Sequence, residues 1–201
     1  MRSIFLIIFI LLIGCQKKDV VEEQIQENSV NNTHSINLEN NDTLWVDKIN
    51  SNVQWIGRKV SGEHSGRIQI AGGFIVKNDE KLVNGEILIN MNSITVDDIE
   101  NTEWNQKLVN HLKNDDFFNT EKFPTSKFVF DEFKDLGANT NVKGIMTIRG
   151  KSVPTSLMLN VVVGMDSSYA TGTINIDRSL FDIKYKSKSF FDNLGDKFIM
   201  D

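Results

Sequence analysis

From Leu44 onward, apolar residues recur at every second position, the period of a strand with one buried face. Val53 and Trp55 share one parity. Ile68, Ile70, Phe74 and Val76 keep a single parity through Gly72-Gly73, and Ile87, Ile89 and Met91 repeat the pattern. Later runs group Phe128 with Phe130; Val142 with Met146 and Ile148; Leu157 with Leu159, Val161 and Val163; and Ala170 with Ile174 and Ile176. Polar residues such as Gln54, Arg67, Glu86, Lys127, Lys143, Thr173 and Asn175 take the alternate positions. Alternation with one wet face marks antiparallel pairing, most of the strands are joined by turn-rich segments such as Lys77-Asn78-Asp79-Glu80, and no helix separates them as a parallel sheet would need. The pattern predicts an all-β antiparallel barrel or sandwich.

One segment breaks the period. Trp104, Leu108, His111 and Leu112 recur at helical spacing, which predicts a short amphipathic helix over Glu103 to Lys113. Asp115-Asp116 and Phe123-Pro124 end it. A single helix cannot cover both faces of a large sheet, so it is expected to flank or plug one end of a barrel.

Whether such a barrel is hollow turns on its inward positions. Gly72, Gly85, Gly144, Ala170 and Gly172 stand at inward parity among Phe74, Ile87, Met146 and Ile174. Small residues there leave room, and an eight-stranded barrel is just wide enough for packed side chains or one small ligand. A cavity walled by Ile, Leu, Phe and Met suits a long apolar ligand. The alternative is a solidly packed barrel whose glycines serve bulges or bends. The candidate lining is Trp55, Phe74, Ile87, Ile89, Met91, Phe128, Phe130, Met146, Ile148, Leu157, Leu159, Ile174 and Ile176.

The N-terminus carries a different signal. Arg2 precedes an unbroken apolar run, Ile4 to Ile13, followed by Gly14-Cys15, the pattern of a signal peptide over residues 1–14. As a helix the run would reach only about 15 Å, roughly half the thickness of a hydrocarbon core. Leu12-Ile13-Gly14-Cys15 resembles a bacterial lipobox, in which cleavage leaves the cysteine N-terminal and its thiol carries a diacylglyceryl group. Cys15 is therefore the candidate lipidation site, and two or more acyl chains give stable anchoring. Residues 16–43 are rich in Glu and Asn, and their apolar residues keep no period. They read as a disordered tether averaging about 30 Å end to end. The expected organisation is a signal peptide at 1–14, a lipidated Cys15 with tether at 15–43, and a barrel domain at 44–201.

Composition narrows the function classes. Lys and Arg total 22 against 27 Asp and Glu, a net charge of −5, which gives nucleic acid no general electrostatic attraction. A lone cysteine excludes an intramolecular disulfide and multi-thiolate metal sites. The three histidines, His34, His64 and His111, are far apart and form no short metal-binding spacing, and no nucleophile elbow or phosphate-binding glycine loop is present. Neither a catalytic residue, a metal nor a cofactor is expected. His64, between Gly62 and Gly66, is a candidate headgroup contact, with loop anchoring as its favoured role. His111 reads as a structural histidine on the apolar helical face. Arg149 and Arg178 are further headgroup or rim candidates through charge-assisted hydrogen bonds, with Asp177-Arg178 read as a rim salt bridge.

Several stretches carry a family resemblance: Gly62-Glu63-His64-Ser65-Gly66, Gly85 to Ile94, Lys143 to Gly150, Ile176-Asp177-Arg178 and, most specifically, His111-Leu112-Lys113-Asn114-Asp115-Asp116-Phe117-Phe118 with Glu121-Lys122-Phe123-Pro124. Over Leu44 to Asp201 the chain resembles the YceI-like polyisoprenoid-binding family. The resemblance implies an antiparallel eight-stranded lipocalin-like barrel whose cavity holds a long amphiphile such as an isoprenoid quinone or polyprenyl phosphate. It also implies a last strand that runs on past Asp201, so closure of the barrel is an open question. The expected protein is a membrane-anchored lipoprotein of a bacterial envelope, facing the periplasm or the cell surface, that sequesters or carries such a lipid. A homodimer is compatible with this reading. The alternative is a structural or adhesion lipoprotein with a filled barrel.

Overall fold

The computed structural model describes residues 5–14, 41–59, 62–79, 81–163 and 167–185. The candidate lipidation residue Cys15, most of the tether and the segment from 186 to 201 lie outside the described residues. The described residues form nine strands and one α-helix: β1 (Phe5–Gly14), β2 (Asn41–Val46), β3 (Asn52–Lys59), β4 (Gly62–Asn78), β5 (Lys81–Asn90), α1 (Thr102–Lys113), β6 (Thr125–Asp135), β7 (Thr140–Ile148), β8 (Lys151–Val163) and β9 (Ser167–Ile176). Every pairing is antiparallel.

The strands run from β3 through β9 as nearest neighbours, and β1 lies between β9 and β3, which closes an eight-membered ring. β2 is in line with β3 rather than a ninth stave. It pairs with the far half of β4, Trp45 opposite Phe74, while β3 pairs with the near half, Val53 opposite Ile68. The two pieces are one broken strand, interrupted where Asp47 accepts hydrogen bonds from the amides of Ile49 and Asn50.

The closing strand comes from an unexpected place. The apolar run at Phe5–Gly14, read from sequence as the hydrophobic part of a signal peptide, pairs along its whole length with β9, from Phe5 opposite Ile176 to Gly14 opposite Ser167. A continuously apolar run carries no alternation, so periodicity could not mark it as a strand. β2 begins at Asn41, three residues before the expected domain boundary.

The helix forms where its spacing predicts. The side chain of Asn101 caps its N-terminus by accepting from the Trp104 amide. Leu112 is buried and Leu108 and Val109 pack partly against the core, but Trp104 is exposed, with Lys107 Nζ 4.4 Å from its ring centroid. The apolar stripe thus starts one turn later than the spacing suggested. After α1 the chain tightens through Phe118 N–H to the Leu112 carbonyl and Thr120 N–H to the Lys113 carbonyl, then enters β6.

Three register slips reset the alternation. Pairing of β4 with β5 slips between Ile70 and Gly72 and again between Val76 and Lys77, and pairing of β6 with β7 slips between Phe130 and Glu132. A one-residue slip exchanges the two faces of a strand. Ile68, Ile70 and Ile75 are therefore the buried hydrophobic residues of β4, in place of the continuous parity that would have buried Phe74 and Val76.

Candidate apolar cavity at the helix end of the barrel

The interior is divided into a packed half and a hollow half. In the packed half, Phe130, Val142, Leu157, Leu159 and Ala170 are buried against one another. The Phe130 ring lies 5.2 Å from that of Phe128, tilted against it, and meets that of Phe133 edge-on at 5.6 Å. The small residues of this half make room for protein and not for a ligand. A Cβ on Gly85 would come within 2.5 Å of the Phe130 ring, and one on Gly172 within 2.6 Å of the Leu159 side chain. Gly72, by contrast, faces open space.

The hollow half lies toward α1. There a cavity of about 80 Å³ is left open. Nine of the candidate residues line it: Trp55, Ile87, Ile89, Met91, Phe128, Met146, Ile148, Ile174 and Ile176. Four do not. Phe130, Leu157 and Leu159 fill the opposite half, with Gly85 and Gly144 across from Phe130 and Gly172 across from Leu159 accepting their bulk, and Val142 across from Leu157. Phe74 is turned from the interior by the β4 bulge and sits 6.0 Å from Trp45.

Sequence reasoning missed Val53, Ile68, Ile94, Leu112, Phe118, Ser126, Phe181 and Ile183, which complete the described wall. Val53 and Ile68 were on the inward parity, and so was Ser126, two residues before Phe128. Ile94, Phe118, Phe181 and Ile183 come from connections with no period to read. Trp55 is held in place by its indole N–H, which donates to the Thr95 carbonyl at 3.1 Å. Gly66 permits that approach, since a Cβ there would lie 1.9 Å from the same oxygen.

The basic candidates separate by location. Arg178 is on the cavity wall but buried, not on an exposed rim, at 2% exposure. Its Nη1 donates to the carbonyls of Tyr185 at 2.9 Å and Ile183 at 3.4 Å, and its guanidinium stands 5.7 Å from the Phe117 ring. The neighbouring Asp177 carboxylate caps the 3-10 turn Arg178–Phe181, accepting from the amide and the hydroxyl of Ser179. Arg149 lies outside the cavity. It occupies the β7–β8 turn with φ of 51°, followed by Gly150 at 72°, the two left-handed residues that a tight hairpin needs. Its guanidinium donates to the carbonyls of Asp115 and Asp182, tying the turn to the segment after α1 and to the segment after β9.

His64 is also outside the cavity, and the segment Gly62–Gly66 is strand, not loop: Gly57 of β3 stands opposite His64. Nδ1 of His64 is 2.8 Å from Asp98 Oδ2, and the Ser65 amide donates to Asp98 Oδ1. Burial alone would raise the Asp98 carboxyl, but the hydrogen bonds from Ser65 and His64, with the charge of His64, hold it below its ordinary value. His111 packs its ring 4.3 Å from Tyr185 and 5.8 Å from Phe117, with Nδ1 3.6 Å from Asp116. Among the described residues, no cluster of three or more His, Cys, Asp or Glu is placed to hold a metal.

Comparison with known proteins supports this architecture. The profile of the YceI-like domain matches residues 45–201. A UPF0312 protein of Shewanella denitrificans is 32% identical over 83 residues, covering 41% of each chain. A UPF0312 protein of Photorhabdus laumondii is 43% identical over 47 residues, 23% of this chain and 24% of that one. The matched stretches thus span well under half the length of these relatives. The crystal structure of Burkholderia cenocepacia BcnA aligns with a TM-score of 0.60 at 18% identity, covering 76% of this chain and 91% of that one, a likeness of fold.

Proposed function

The chain belongs to the YceI-like family, and from that premise we propose that it is a binding protein, not an enzyme, that holds the apolar chain of an isoprenoid quinone, a polyprenyl phosphate or a similar amphiphile inside the barrel. The observation that carries this reading is the helix-end cavity, whose described walls are aliphatic, thioether or phenyl side chains apart from Trp55, Ser126 and Arg178. A structural barrel would have no reason to fill one half with Phe130 and leave the other hollow. At about 10–15 Å³ of such space per water, 80 Å³ accommodates a short length of chain. A long isoprenoid must widen the wall or extend through the mouth.

The test is direct. The protein, purified from a bacterial envelope in mild detergent, is extracted with organic solvent, and the extract is analysed by mass spectrometry. A lipid at about one per protein is the expected result. A folded protein that releases none, and takes up no added apolar dye, overturns the reading.

The same proposal includes acylation at Cys15 and attachment to a bacterial envelope membrane. It has a structural consequence: cleavage before Cys15 would remove β1 and uncover the edges of β3 and β9, which unpaired are prone to aggregation. Another strand must then take that place. The intact mass of the mature protein and fatty-acid labelling of wild type and Cys15→Ser decide the matter. A labelled wild type lacking residues 1–14 and an unlabelled variant are expected. An unlabelled protein retaining residues 1–14 overturns it.

A further inference from the structure

Ser126 is out of keeping with its surroundings. It is the second residue of β6, where Ser126, Phe128 and Phe130 are buried while Thr125, Lys127 and Val129 are exposed, so its side chain shares the inward face. It lines the cavity, it is 4% exposed, and among the described residues its Oγ has no hydrogen-bond partner. Ile89, its partner across the β5–β6 pairing, and Phe128, the next residue on its face, are both wall residues and offer only hydrocarbon. Buried hydroxyls are ordinarily partnered. A lone water would need two or more polar groups to hold it.

We propose that Ser126 is the polar anchor of this cavity, taking one uncharged oxygen of the ligand, such as a carbonyl, an ether or a hydroxyl. The inference rests on the cavity-binding reading above and narrows it. A single neutral hydroxyl supplies one hydrogen bond, which matches a ketone or quinone oxygen. It cannot satisfy a phosphate, whose several acceptor oxygens and charge belong at the water-facing mouth. The amphiphile is thereby held with an oxygen inside the barrel at the level of the β5–β6 pairing, and the hydrocarbon-lined space accommodates its chain.

The experiment compares two probes of equal length, a straight-chain alkane and its methyl ketone, each displacing diphenylhexatriene from the delipidated full chain. Wild type is expected to bind the ketone about tenfold more tightly, the scale of one buried hydrogen bond. Ser126→Ala should lose the preference for the ketone and favour the alkane, because the ketone oxygen would then be buried without a partner, and Ser126→Thr should restore the preference. Equal binding of both probes by wild type overturns the anchor and leaves the cavity reading standing, and so does a ketone preference that survives Ser126→Ala. A wild type that binds neither probe nor dye overturns both. The wild-type comparison decides the case even where a variant does not fold.

Discussion

Gly144 stands directly opposite Phe130 across the β6–β7 pairing, and a Cβ on Gly144 would lie 2.7 Å from the Phe130 Cα and 2.1 Å from the Val129 carbonyl. The close neighbours are backbone atoms, which cannot swing aside as a side-chain tip can. The glycine is thus the condition for packing this half of the barrel.

Gly144→Ala is expected to destabilise the fold by about 1–3 kcal/mol, the range for overpacking a filled core. Gly72→Ala, which meets nothing within 4 Å, should stay within about 0.5 kcal/mol of wild type. Urea denaturation of the two variants side by side checks the contrast. Equal stabilities would remove the argument that the inward glycines serve packing.

Arg178 holds the segment that crosses the helix end. Its carbonyl accepts from the Ile183 amide while its guanidinium donates to the carbonyls of Ile183 and Tyr185. Arg178→Met keeps the stem and removes the donors, so it should cost about 1–3 kcal/mol for acceptors left unpaired. Arg178→Lys should recover little, since a compact ammonium does not reproduce the fork of a guanidinium. Hydrogen exchange at the Ile183 amide should rise sharply in both variants, and unchanged protection would show that the segment is held by other contacts.

The strand pattern from Leu44 onward was legible because each strand buries one face, and the helix because its stripe repeats at the right spacing. The bulge after Ile70 was not, since Gly72-Gly73 preserves the apolar parity on paper while the backbone gains a residue against β5. That exchange of faces accounts for Phe74. Phe130, Leu157 and Leu159 were read correctly as inward, but inwardness does not distinguish a residue that fills the barrel from one that walls a cavity. The distinction depends on which residue stands across the sheet, and cross-strand register is a long-range property. Gly144 opposite Phe130 is the instance: each was visible, their pairing was not.

The His64–Asp98 pair gives a pH dependence with a definite sign. The folded Asp98 carboxyl lies below its ordinary value, so its contribution to stability is complete above about 3.9 and is lost as pH falls through the folded value. Asp98→Asn, which retains an oxygen for the Ser65 amide, should be less stable than wild type at neutral pH by no more than about 1 kcal/mol, given the partial exposure of the pair. The difference should vanish under acid conditions. His64→Gln should leave apolar dye affinity unchanged, because the ring is directed at Asp98 from outside the cavity. A loss of dye binding in a stable His64→Gln protein would contradict that placement.

The two halves of the barrel should respond oppositely to the same added bulk. Met146 walls the hollow half, opposite Phe128, and Met146→Trp places an indole where the cavity provides space. Leu159 fills the packed half opposite Gly172, where a Cβ on the glycine would already lie 2.6 Å from the leucine side chain. Leu159→Trp has no free volume to enter and must push strands apart, at about 1–3 kcal/mol or more. Met146→Trp is therefore expected to keep a near-wild-type urea midpoint and lose its extractable lipid. Leu159→Trp should lose stability while the protein that remains folded keeps lipid. Lipid per folded protein, measured by mass spectrometry at a urea-free baseline, separates the two. A folded Met146→Trp protein with its full complement of lipid would move the binding site out of the helix-end cavity.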